Sequence, residues 1–80
     1  MYEVVGLKVV NFKDQRTGEK IDGLRVYATC EEDKVLGLAT ESFFFGRNKF
    51  GDLFDLFQLG GHFKVLYNKY GKPDDIEFHE

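Results

Sequence analysis

Residues 48–61 read Asn48-Lys49-Phe50-Gly51-Asp52-Leu53-Phe54-Asp55-Leu56-Phe57-Gln58-Leu59-Gly60-Gly61, the one stretch of the chain whose apolar period is helical. Phe50, Leu53, Phe54 and Phe57 fall at i, i+3, i+4 and i+7, while Asp52, Asp55 and Gln58 lie off that stripe. This spacing predicts a short amphipathic helix over 48–59. Asn48 stands where an N-cap is wanted, both Asp suit the early turns, and Gly60-Gly61 is a helix stop. Gly51 weakens the helix by about 1 kcal/mol. The rest of the chain is extended in pattern, so this stretch decides what kind of β-protein it is.

Working outward, the strand before it runs from Val35 to Phe45 and the one after it from Phe63 to Tyr67. In the upstream strand Val35, Gly37, Ala39, Phe43 and Phe45 share one parity and Leu36, Leu38 and Phe44 the other, so its facing stays open, and Gly37 marks a bend. Further upstream, Leu24, Val26, Ala28 and Cys30 alternate with Arg25, Tyr27 and Thr29, the cleanest strand in the sequence. Its apolar residues belong to the core and Tyr27 to the outside. The first strand, Tyr2 to Phe12, has apolar residues at both parities, so both of its faces are expected to find cover. Gly6 falls where the parity is confused, the mark of a bulge or a sharp coil. Polar turns at 14–19, 31–34 and 68–72 separate the strands, and Pro73 opens a fifth that carries Ile76 and Phe78.

Three strands, a helix and two more strands form the element order of a five-stranded OB-like barrel, in which the helix plugs one end. An SH3-like barrel is the alternative, but it has no natural place for the helix. The run Val65-Leu66-Tyr67-Asn68-Lys69-Tyr70-Gly71-Lys72, with the glycine-bent first strand and the Gly37 strand, resembles small OB-like proteins of phages and mobile elements of Gram-positive bacteria. Some of that group are similar to single-stranded-DNA-binding proteins. The resemblance covers most of the chain as a pattern, and it implies a role with nucleic acid or in replication.

Composition sets the remaining bounds. Eighty residues suit one domain, and nine Phe and four Tyr supply large apolar area per side chain. Cys30 is the only cysteine, which rules out an intramolecular disulfide and favours a reducing compartment. With neither a signal-peptide pattern nor an apolar run long enough to span a bilayer, a soluble cytoplasmic protein with no membrane partner is expected. The net charge of −3 counts against a strong non-specific nucleic-acid binder. The acids bunch at Glu31-Glu32-Asp33 and from Asp74 to Glu80, which leaves the cations free to share one side. A charge run is ordinarily a solvated turn, and that remains the plainer account of each cluster.

No catalytic set is legible. His62 and His79 lack the short paired spacing of zinc ligands, Cys30 lies on the apolar parity of its strand, and adjacent Asp74 and Asp75 point to opposite faces. No metal, cofactor or enzymatic activity is expected. The binding constellation is Arg25, Tyr27 and Thr29 on the outer parity of the second strand, with one or more of Phe43, Phe44 and Phe45 on the third, Phe43 and Phe45 first among them. Arg47, Lys64, Lys69, Tyr70 and Lys72 complete it. Aromatic rings stack bases and cations follow the phosphates of a single strand. Three consecutive aromatics must send at least one ring to each face, so the outward Phe meets a base, a protein partner or a second copy in a homodimer. An adaptor or inhibitor that binds a host protein is the alternative to nucleic-acid binding.

Overall fold

The structure is a computed structural model that describes residues 1–79. Strand β2 (Lys20–Cys30) carries the strict alternation, and its inner residues Leu24, Val26 and Ala28 are buried, Val26 completely at 0% exposure. Tyr27 stays 40% exposed on the other side. This register organises the sheet. Strand β1 (Tyr2–Lys13) runs antiparallel to β2 from Glu3 to Lys13, and a bulge between Val4 and Gly6 resets its parity. Strand β3 (Ala39–Gly46) pairs with the other edge of β2, Leu24 against Phe45 and Arg25 against Phe44.

Strand β4 (His62–Tyr67) joins β1 only through Tyr2↔Phe63 and Glu3↔His62, and it pairs along its length with β5 (Pro73–His79). The result is one antiparallel sheet in the order β3-β2-β1-β4-β5. β3 and β5 are its two edges and do not hydrogen-bond to each other, so the sheet is not closed into a barrel.

The helical stretch departs from the expectation of one helix over 48–59. A four-residue helix α1 (Arg47–Phe50) passes directly into a 3-10 turn over Gly51–Leu56, and Phe57 is already extended at ψ 121°. The N-cap is Gly46, with no side-chain cap hydrogen bond, and α1 has no acid in its first turn. An uncapped helix interrupted by Gly51 cannot hold i→i+4 bonding for three turns, and the tighter 3-10 winding takes over. Gly60-Gly61 is therefore not a helix stop. Gly60 adopts φ +82°, and the pair docks on β1, where Gly60 N–H donates to Val4 O and Val4 N–H to Gly61 O, both at 2.9 Å or less.

The apolar stripe survives in part. Phe50 and Phe57 are buried, whereas Leu53 and Phe54 only pack against the core edge. Phe54 also lies under the Arg47 guanidinium at 5.0 Å. Phe54→Ala is accordingly expected to cost about 1–2 kcal/mol, less than a core ring would, and a urea melt that shows unfolding of this variant in buffer would contradict that placement.

The core is a cluster of rings. Phe45 meets Phe50, Phe57 and Phe43 at centroid distances of 5.1, 5.4 and 5.8 Å, and Phe63 meets Phe57, Tyr2 and Phe43 at 5.3, 5.5 and 5.7 Å. Burial, with Tyr67, Cys30, Glu41 and Glu32 nearby, raises the pKa of the Tyr2 phenol above its ordinary value. Two further expectations need correction. β3 begins only at Ala39, because Gly37 at φ +90° turns the chain and leaves Leu36 fully exposed. β1 does not find cover on both faces: beyond the bulge Val9 is 70% exposed on one face and Phe12 55% on the other. Among the described residues no helix is long and apolar enough to cross a membrane.

Candidate nucleic-acid interface

The face of β1, β2 and β3 that points away from the ring cluster follows from the register. Gly6 stands opposite Tyr27, which stands opposite Ser42; Lys8 stands opposite Arg25, which stands opposite Phe44; Val10 stands opposite Gly23, which stands opposite Gly46. Phe12 and Ile21 form the last row of this face toward the hairpin, one pair before Lys13↔Lys20. No acidic side chain occurs in these rows, in a chain that carries fourteen. Glu3 and Thr29 form the next row, at the margin, and the Glu3 carboxylate lies 3.4 Å from His62 Nε2.

Two rings lie on this face. Phe44, 39% exposed, extends over Gly23, where a Cβ would come within 2.6 Å of its Cζ. The Arg25 guanidinium sits 5.6 Å from the Phe44 centroid, within range of a cation–π interaction. Tyr27 extends over Gly6, where a Cβ would lie 3.3 Å from its Cδ2. Phe44 is thus the outward ring of the aromatic run, and its two neighbours face inward. Phe45 is 0% exposed, and Phe43 packs edge-on against Tyr2 at 4.9 Å, so neither ring is available to stack a base. Strand alternation required this split, but it became legible only once Leu24↔Phe45 was fixed.

The remaining expected site residues are dispersed. Arg47 pairs with Asp22, its Nε 3.0 and 3.1 Å from the two carboxylate oxygens. With half of the Arg47 side chain exposed, this pair is worth under about 1 kcal/mol. Lys64 is exposed on β4, opposite Glu77. Lys69, Tyr70 and Lys72 occupy the β4–β5 turn, built on the Asn68 side chain, whose Oδ1 accepts from the N–H groups of Tyr70 and Lys72. Tyr70 is 74% exposed, with Lys69 Nζ 5.2 Å from its centroid. Among the described residues no hydrogen bond or ring contact joins this turn to the Arg25–Phe44–Tyr27 face.

Sequence spacing missed Lys8 and the pair of glycine seats, because neither has meaning until β1 is aligned on β2. It also missed that His62 and His79 are cross-strand partners, with His79 Nε2 2.9 Å from Glu77. Among the described residues no three His, Cys, Asp or Glu side chains are grouped to hold a metal ion. Cys30 is half-buried at the end of β2. No protein-family model, curated protein or solved structure matches the chain.

Proposed function

We propose that the chain is a non-catalytic binding module of OB-like character that holds single-stranded nucleic acid on the outer face of β1, β2 and β3. The observation that carries this reading is the absence of acids from a face that presents Lys8, Arg25 and two glycine-seated rings. In a chain of net charge −3, that segregation leaves a local surface on which an anionic backbone meets no like charge. Bases stack on Tyr27 and Phe44, and Arg25 and Lys8 follow the phosphates. Lys69, Tyr70 and Lys72, on the β4–β5 turn, extend the path of the strand. The helical segment that covers one end of the ring cluster supports the OB-like assignment, as does the strand order. A cytoplasmic setting agrees with the lone thiol.

A second reading, an adaptor or inhibitor that binds a host protein, has its own observation. The β2–β3 loop exposes Leu36 at 104% and Leu38 at 58%, beside Glu31, Glu32 and Asp33. Self-association into a homodimer would be another way to cover outward apolar side chains such as Phe44. Titration of a labelled oligothymidylate separates these readings. Binding at low salt that weakens as salt rises is the expected result, and no measurable binding at low salt hands the case to the protein-interaction reading.

A further inference from the structure

We propose that Gly6 and Gly23 are positioning residues of this face: their bare backbone lets Tyr27 and Phe44 lie flat, which sets the face to take two unstacked bases of one strand. The inference rests on the single-strand reading given above. A glycine inside a strand weakens it and calls for a reason. Positive φ does not supply one, since the positive-φ glycines are Gly18, Gly37, Gly60 and Gly71; the bulge between Val4 and Gly6 is one reason at Gly6 and none at Gly23. A ring also lies over each of them, alone at Gly6 and beside the Phe45 carbonyl at Gly23. A Cβ at Gly6 would meet Tyr27 Cδ2 and Cβ at 3.3 and 3.4 Å. A Cβ at Gly23 would run into the Phe45 carbonyl oxygen and come within 2.6 and 2.9 Å of Phe44 Cζ and Cε2.

In the proposed arrangement each ring turns one π-face to the glycine and the other to solvent, and a base stacks on that outer face. Tyr27 and Phe44 are diagonal neighbours, since Tyr27 pairs with Ser42, two residues before Phe44. Their Cα atoms are therefore about 7–8 Å apart. That is more than twice the rise of about 3.4 Å between successive bases of a duplex strand. Two bases seated on the two rings cannot remain stacked on each other, so the face selects a splayed single strand over a duplex.

Gly6→Ala is the informative variant, because its Cβ presses only on Tyr27, whereas Gly23→Ala strikes backbone. We expect Gly6→Ala to weaken binding of oligothymidylate about fivefold, part of the value of one stack, with the salt dependence unchanged. It should have no further effect in a Tyr27→Leu background. An equal loss in the Tyr27→Leu background, or no loss in a folded Gly6→Ala protein, would overturn the proposal. A ligand-free measurement stands beside this. The Gly6 and Gly23 Hα resonances should be moved upfield by ring currents and return on Tyr27→Leu and Phe44→Leu, and unshifted resonances would dispose of the seats. Shifted resonances with no binding to oligothymidylate at low salt would remove the single-strand reading, and the base-seating proposal with it.

Discussion

Phe45→Ala is expected to leave the protein largely unfolded near physiological temperature. Phe45 is 0% exposed and meets three other rings within 5.8 Å, so truncation removes its transfer free energy and opens a cavity that the stacked neighbours cannot refill without leaving their own contacts. Phe→Ala at such a site costs about 3–5 kcal/mol. A domain of this length has about 4–12 kcal/mol in all, taken at the usual stability per residue. In a domain this small each kcal/mol moves the midpoint by about 4–8 °C, so a fall of about 12–40 °C is anticipated. Thermal melts followed by circular dichroism check this, with Phe54→Ala as the comparison. A Phe45→Ala midpoint as high as that of Phe54→Ala would mean that the ring cluster is not what holds the sheet together.

The contrast between Phe45 and Phe54 also measures what the sequence revealed. Leu24, Val26 and Ala28 were legible as core because a strand with period two has a single buried face, and nothing in β2 breaks the alternation. The bulge at Gly6 was legible for a related reason: one inserted residue exchanges the two parities. The helical stretch was misjudged because its stripe of Phe and Leu fits i, i+3, i+4, i+7 whether or not the backbone can hold three turns, and Gly51 with an uncapped start decides that it cannot. The barrel was expected from the order of elements, but closure depends on whether β3 reaches β5, which no local pattern encodes. Of the expected site, Arg25, Tyr27 and the turn residues Lys69, Tyr70 and Lys72 stand exposed or half-exposed. The pairing of Arg47 with Asp22 was not legible, because the two lie twenty-five residues apart in sequence. The acid-free face became visible only when three strands were aligned, one of them through a bulge.

The second large effect tests that face. Tyr27→Leu with Phe44→Leu is expected to weaken binding of oligothymidylate by about 2–6 kcal/mol, since each base–ring stack is worth about 1–3 kcal/mol. Leu keeps apolar cover over Gly6 and Gly23, so the sheet should stay folded while the π-faces are lost. Because stacking releases no counterions, the slope of log affinity against log salt should not change. Lys8→Ala with Arg25→Ala should do the reverse in character. Each phosphate contact to a single strand contributes about −0.7 to that slope, so loss of both flattens it by about 1.4. Arg25 also leans on Phe44 at 5.6 Å, and this gives a third arm. Arg25→Lys retains the charge and the slope but gives up the planar guanidinium over the ring, so it should lose part of the affinity without altering salt dependence. The two double variants thus act on separate observables, and their separation is the point at issue. If the leucine pair flattened the slope, or if the cation pair left it untouched while Lys69→Ala with Lys72→Ala flattened it, the strand would be running over the β4–β5 turn instead of across β1, β2 and β3.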